Sequence, residues 1–353
     1  MIPYFVLVFV PTIIDLFRIK GFRPELRKKV ALIAFFSILF FLLAFKGMSV
    51  GNDAYNYLYK FHLFGHASWQ KVFTLTPEPA YNVLNKLVFL MNHEYLVFQI
   101  IVSVIIILPV AIFYVKESEM PILTIALLLI QSNFSMFFSG YRQCIAISLG
   151  IIAFELAKRK KLIFFLLIVL LAHFFHNSAF VLLFLYPFYF IKIDKNKLLF
   201  VVPVIVLIIV FNKQVFSWLR ILFADVYTIK EHSTGAYMML ILFILFATMS
   251  FLFPNKDCDD KDLFAMRNYL LLALVIQIFA SLHPLAMRMG YYFTIFIPIL
   301  IPKVIKSSIR WRQVAYVSAV VMIGFFIVYF FINTPSHNAL GIYPYHFYWE
   351  GVR

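Results

Sequence analysis

Charge is what this chain has least of. Asp, Glu, Lys and Arg make up only 13% of its 353 residues, about half the share found in soluble domains. Hydrophobic residues reach 63% and the mean hydropathy is +0.92. That excludes a soluble globular protein and leaves an integral membrane protein. No repeat of fixed period and no low-complexity linker divides the chain, so a separate soluble domain has no place in it. Only two cysteines occur, Cys144 and Cys258; they fall near opposite ends of the expected bundle, so no disulfide between them is expected. A Gly-rich phosphate loop is missing, and so is any His/Cys pattern with zinc-ligand spacing. Acidic residues number 16 against 31 basic ones. The excess suits cytoplasmic loops and anionic lipid, and nucleic acid is not needed to explain it.

What is present is a succession of apolar runs. A bilayer core needs about 20 apolar residues per helix, and twelve runs read as spans: 2–17, 30–47, 95–115, 121–138, 141–157, 162–176, 177–191, 198–211, 236–253, 267–283, 289–303 and 313–332. Several are short, so a broken or re-entrant helix is expected, tolerated where protein or a wet cavity surrounds it. The first run has no basic residue before it and "RIKGFRPELRKK" after it. This predicts an outside N-terminus and no cleaved signal peptide. Alternation then places "KESE", "KRKK", "KIDKNK", "PNKDCDDKDLFAMR" and "PKVIKSSIRWR" inside. With the first block these joints hold 21 of the 31 Lys and Arg, as positive-inside topology requires. The predicted fold is an all-α polytopic membrane protein of about twelve transmembrane helices, one transmembrane domain over 1–353, with both termini outside. The joint 48–94 reads as an outer loop with short amphipathic helices. Segment 211–235 reads as an outer amphipathic helix, with Phe211, Val215, Leu219, Leu222 and Val226 along one stripe.

The same topology gathers unusual residues on the outer face. Asp53 in "GNDAYNYLYKF" and Glu78 in "PEPAYNVLN" share one outer joint. Arg142 and Gln143 open the fifth run, in "SGYRQCIA". His173, His176 and Asn177 lie in "AHFFHNSA", and His283 and Arg288 in "SLHPLAMRMGYYF". Ionisable groups near membrane depth are costly and usually face a cavity or partner. Plainer readings stay open beside the functional one. Asp53 serves loop solvation equally well, Glu78 suits a helix start, Arg142 reaches headgroups by snorkelling, and His173 and His176, three apart on one helix face, suit ordinary packing. Elsewhere Asp15 and Arg18 form a helix-spaced pair, Glu155 stands beside "KRKK", and "DCDDKD" reads as solvated loop.

Arginines facing a cavity from separate helices suit a phosphate or diphosphate, which guanidinium forks bind with charge-assisted hydrogen bonds. In a membrane, that points to a lipid diphosphate. A carboxylate beside such a site repels the anion, but it can accept a proton from an attacking hydroxyl. Rings such as Tyr55, Tyr57, Tyr291 and Tyr292 suit sugar faces. Together these favour glycosyl transfer from a lipid-linked donor, in keeping with the missing nucleotide loop.

"GNDAYNYLYKF", "EPAYNVLNKLV", "YRQCIAISLGIIAFELAKRKK", "AHFFHNSAFVLLFLYPF", "MRMGYYF" and "IYPYHFYW", in that order, resemble the EpsG family of Wzy-like bacterial polysaccharide polymerases. The similarity runs from about residue 45 to the C-terminus; Ala80 stands where a glycine is expected after the Glu-Pro step. The resemblance implies a GT-C-like glycosyltransferase that moves a growing glycan from undecaprenyl diphosphate onto a lipid-linked repeat unit. The reaction inverts configuration, on the outer face of the cytoplasmic membrane. It implies catalytic roles for Asp53, Glu78 or His176 and diphosphate binding by Arg142, Arg288 and His176. Substrate contacts fall to Tyr55, Tyr57, Tyr81, Gln143, His173, Asn177, His283, Tyr291 and Tyr292. No metal or other cofactor is expected, a divalent cation near the outer carboxylates being the alternative. The implied partners are the lipid-linked donor and acceptor, membrane lipid, a flippase and a chain-length regulator. The rival functions are a lipid-linked oligosaccharide flippase and an O-antigen-ligase-type transferase.

Overall fold

The computed structural model describes residues 1–16, 23–194, 196–222, 235–254, 260–308, 310–336, 338 and 340–351. Among these, helices and turns account for the chain, apart from one isolated bridge between Lys46 and Phe347. The residues form two compact units, 1–182 with 317–353, and 183–316. Each of the twelve apolar runs falls on a helix or a broken helix. They mark the chain as a multi-pass membrane protein.

The first unit holds α1 (Ile2–Leu16), α2 (Pro24–Ala44), α3 (Ala54–His66), α4 (Trp69–Val72), α5 (Pro79–Met91), α6 (Tyr95–Glu117), α7 (Pro121–Ile130), α8 (Ser132–Ser139), α9 (Tyr141–Lys158) and α10 (Leu162–Phe175). A 3-10 helix, Asn177–Phe184, follows. The second unit carries α11 (Leu185–Phe190), α12 (Leu198–Val210), α13 (Asn212–Leu222), α14 (Gly235–Leu252), α15 (Lys261–Ile278), α16 (Pro284–Thr294) and α17 (Ile297–Lys306). Helix α18 (Arg312–Ser336) begins there and returns to the first unit. By length and composition α6, α15 with its extension to Ser281, and α18 can each cross a bilayer. Three bent pairs, α7–α8 (67°), α12–α13 (85°) and α16–α17 (44°), raise the number to six if each counts as one span.

The α7–α8 break sits at Gln131, in extended backbone. Its surroundings explain why it is tolerated. Gln131, Asn133, Phe134 and Met136 to Ser139 are all buried, so the interrupted backbone faces protein and not lipid. Around it, α1 packs on α2, α2 on α6, α6 on α9, and α9 on α10. Tyr4 anchors this core. Its ring meets Phe134, Phe138, Phe330 and Tyr345 edge-on at 5.8–6.2 Å, and its hydroxyl donates to the Ile342 carbonyl at 2.6 Å.

That last bond belongs to a clasp. The segment after α18 folds back on the turn between α2 and α3. Gly47 N donates to His346 O at 2.7 Å, Gly51 N to Gly341 O at 2.7 Å and Tyr348 N to Phe45 O at 2.8 Å. Tyr345 Oη donates to Leu42 O at 2.8 Å. Gly51 is required here: its φ is +91°, and a Cβ would overlap the Phe138 carbonyl. The turn so held leads directly to Asp53.

At the other ends of α6 and α9, Lys116 meets Glu155 at 3.0 Å and Lys158 meets Glu117 at 3.8 Å, so Glu155 is part of a structural ion network. Asp15 pairs with Arg27 at 3.8 Å; Arg18, its expected helix partner, lies outside the described residues.

In the second unit α15 is buried almost all round. Asp260 caps it, accepting from Asp262 N and Leu263 N at 2.9 and 3.2 Å. Asp262 accepts from Tyr189 Oη at 2.7 Å. These two members of the acidic stretch are thus structural where solvated loop is expected; Cys258 lies outside the described residues. On α13, Val215 and Phe216 pack on Phe279, Leu282 and Ala286, while Phe211 is exposed. Val226, and most of the expected amphipathic segment after Leu222, is outside the described residues.

Candidate functional site

The site grows from four helix ends in the first unit. Asp53 is the N-cap of α3, Glu78 the N-cap of α5, Arg142 the second residue of α9, and His176 the C-cap of α10. Helix ends suit such residues because backbone groups there lack intrahelical partners and the chain is free to turn.

Glu78 shows how the sequence sets this locally. Pro79 at the first helical position favours a start there, so the helix-start reading holds. Yet its carboxylate makes no capping bond. It is directed to other helix ends: Oε2 accepts from Arg142 Nη1, 64 residues away, and Oε1 contacts His176 Nδ1 at 2.7 Å, 98 residues away. Asn177 N adds a 3.4 Å contact to Oε1. Behind it, Thr76 Oγ1 donates to Asn82 Oδ1 at 2.7 Å and Asn82 Nδ2 to Val72 O at 2.9 Å, fixing the loop that delivers Glu78. Burial works to raise the carboxyl pKa, but the hydrogen bonds and charges of His176 and Arg142 outweigh it and hold the group below its usual range.

Helix α3 supplies the other wall. Ala54, Tyr57, Phe61 and Phe64 are buried, the spacing of one amphipathic face. Tyr57 stacks on Tyr141 at 4.8 Å and meets Tyr81 edge-on at 5.9 Å. Arg142 lies over the Tyr81 ring at 5.9 Å, and buried Lys46 over the Tyr141 ring at 5.2 Å. Lys46 Nζ also donates to Val50 O at 2.6 Å. Burial pushes the Tyr57 and Tyr81 hydroxyls well above their usual pKa, so both stay protonated as donors. Asp53 is within electrostatic reach of Lys46, Tyr57 and Lys60, and Lys60 also of Arg142 and Glu78.

The structure therefore brings together Asp53, Tyr57, Glu78, Tyr81, Arg142, His176 and Asn177. Gln143 is buried one residue beyond Arg142. His173 is occupied locally, its Nδ1 at 2.9 Å from Asn177 O. Tyr55 is exposed, on another face of α3 from Tyr57. Four expected residues belong to the second unit: His283 caps α16 through Leu285 N at 3.1 Å, Arg288 is exposed on α16, and Tyr291 and Tyr292 are buried. Three residues went unnoticed in the sequence: Lys46, Lys60 and Tyr141. Lys60 had a signal, since Asp53, Tyr57 and Lys60 recur at helical spacing.

An ion pair with a histidine on its far side can bind an anion and move a proton side by side. Among the described residues no group of three or more His, Cys, Asp or Glu is arranged to hold a metal. Neither curated proteins nor solved structures yield a match to this chain. Comparison with protein families matches the EpsG family over residues 29–347. The match covers most of the 353 residues, and the chain belongs to the EpsG family.

Proposed function

We propose that this protein is a polysaccharide polymerase that transfers a growing glycan from undecaprenyl diphosphate to a new lipid-linked repeat unit, inverting the anomeric centre, at the outer face of the bacterial cytoplasmic membrane. The observation that carries the reading is buried Glu78 holding Arg142 and His176 together, in a chain with little charge to spare. Membership of the EpsG family, which suggests a polysaccharide-polymerase-like role, supports it. The topology that goes with it is twelve spans in a GT-C-like arrangement with both termini outside. A flippase would supply the substrate, a chain-length regulator would act beside the enzyme, and no metal takes part.

Glu78 takes Arg142 Nη1, and the Arg142 side chain remains partly exposed. Donors remain for the diphosphate, whose growing charge they stabilise as the glycosyl–phosphate bond breaks. Because Glu78 is an acceptor, His176 Nδ1 carries the hydrogen, and in the neutral imidazole Nε2 keeps its lone pair. His176 Nε2 then removes the proton of the acceptor hydroxyl as that oxygen attacks the anomeric carbon from the face opposite the diphosphate. Glu78, held anionic, orients the imidazole and stabilises the imidazolium. Asp53 is the rival base, and the asparagine variants of Asp53 and His176 separate the two.

The test uses purified full chain in vesicles with synthetic lipid-diphosphate repeat units. A ladder of longer lipid-linked glycans is expected. A single addition product would identify a ligase-type transferase, and lipid movement without product a transporter; either overturns the proposal.

A further inference from the structure

Lysine is among the residues least often found inside a protein, yet Lys86 on α5 is only 8% exposed, and the chemistry proposed above makes no use of it. Its ammonium is aimed at the end of a neighbouring helix. Nζ donates to Gly65 O at 2.6 Å and to Ala67 O at 3.0 Å, 21 and 19 residues away in sequence, and it stands over the Trp69 ring at 5.9 Å. Both carbonyls belong to the C-terminal end of α3. The last carbonyls of a helix lack intrahelical donors and carry the negative end of its dipole, so a cation held there answers both. Lys86 thus ties α3 to α5.

The rest of the seam shows what the tie holds. Tyr57, near the start of α3, meets Tyr81, near the start of α5, at 5.9 Å. Further along, Phe61 packs edge-on against Phe89 at 5.4 Å, and the His66 ring lies 4.8 Å from the same phenyl. Gly65 lets that phenyl touch the backbone, since a Cβ there would come within 2.3 Å of it. Contacts run start to start and end to end, so α3 and α5 lie side by side in the same direction. Their N-caps, Asp53 and Glu78, share one end. Ring-on-ring burial is non-directional and resists separation more than sliding. The Lys86 hydrogen bonds are directional, and they fix the register. A slip of one residue along a helix is about 1.5 Å, and a misplacement of about 1 Å can cost on the order of 100-fold in rate.

We propose that Lys86 is a positioning residue: by holding the C-terminal carbonyls of α3 it fixes α3 on α5, and with it the placement of Asp53 and Tyr57 against the Glu78, Arg142 and His176 group. For the reaction so served, the inference rests on the polymerase reading. Lys86 acts from the far end of both helices and touches none of the reacting groups.

The experiment compares the purified full chain as wild type, Lys86→Met, Lys86→Gln and Lys86→Arg, following amide hydrogen exchange at the C-terminal end of α3 together with the kinetics of ladder growth. Lys86→Met should raise that exchange about 10-fold and lower kcat about 10-fold in protein that stays folded. The donor KM should stay within about twofold, because Arg142 comes from α9. Lys86→Arg keeps a cation with donors and should restore exchange and kcat to within about threefold of wild type. Lys86→Gln keeps a neutral donor and should fall between; it carries the test if the methionine variant does not fold. Unaltered exchange overturns the clamp. Raised exchange with unchanged kcat, the mark of a merely stabilising lysine, overturns the positioning role. Failure of the polymerase reading looks different: wild type builds no ladder from diphosphate units, while the Lys86-dependent protection of α3 persists.

Discussion

Replacing Glu78 by glutamine keeps the shape of the side chain and removes the charge that joins Arg142 to His176. The Glu78 side chain is only 4% exposed, against 27% for Arg142 and 18% for His176. A surface pair is worth about 0–1 kcal/mol, and cutting a fully buried one costs about 3–5 kcal/mol. With a buried carboxylate and partly wetted partners, the loss should be about 2–3 kcal/mol. Expressed in the transition state at 1.36 kcal/mol per decade, that is a fall of about 30- to 150-fold in kcat/KM. Most of it should appear in kcat, because the imidazolium loses its anionic partner while Arg142 keeps its charge for the donor. The assay is the rate of ladder growth, with donor affinity and thermal unfolding followed in parallel. Activity within about threefold of wild type, in protein that folds, would refute the assignment of Glu78 as the link. The substitution also has a pH signature. The folded carboxyl has a lowered pKa through His176 and Arg142, so its stabilising contribution is complete above the unfolded value of about 4.3. It fades as pH falls from there through the lower folded value. The thermal advantage of wild type over Glu78→Gln should therefore shrink on acidification below about pH 4.3, and an advantage that grows would contradict the sign.

Gly51→Ala forces a Cβ against the Phe138 carbonyl at a φ of +91° and should cost about 1–3 kcal/mol in backbone strain; a lowered Tm and slower turnover are expected, and an unaltered Tm would show that the turn before Asp53 is slack. Arg288→Ala tests the diphosphate role that the family resemblance assigns to the late arginine, with donor affinity expected to drop about 10-fold; unchanged affinity removes that role. Chelation by EDTA should leave the glycan ladder as it was, whereas inhibition reversed by added divalent cation would establish a metal in the reaction.

Much of the helix content was legible from residue type alone. The apolar runs leave the backbone no water to bond with wherever lipid or protein surrounds it, which makes helix the economical conformation, and each of the twelve falls on a helix or a broken helix. The breaks were visible only as a shortage of length. That α7 and α8 bend at Gln131 depends on the buried neighbours around the break. Proline at position 79 announced the start of α5, but no local rule told whether Glu78 would cap its own helix or reach elsewhere.

The sequence by itself determined that this is a helical membrane protein of the EpsG family, and it named Asp53, Glu78, Arg142 and His176 because charge is rare enough in it to stand out. Tertiary structure alone decided which of them meet. Glu78 finds its partners 64 and 98 residues away, and such pairings depend on how helices pack, which leaves no trace in local spacing. Lys60 is different: its helical spacing with Asp53 and Tyr57 was there to be read, although one cation in a short amphipathic helix also suits a solvated surface.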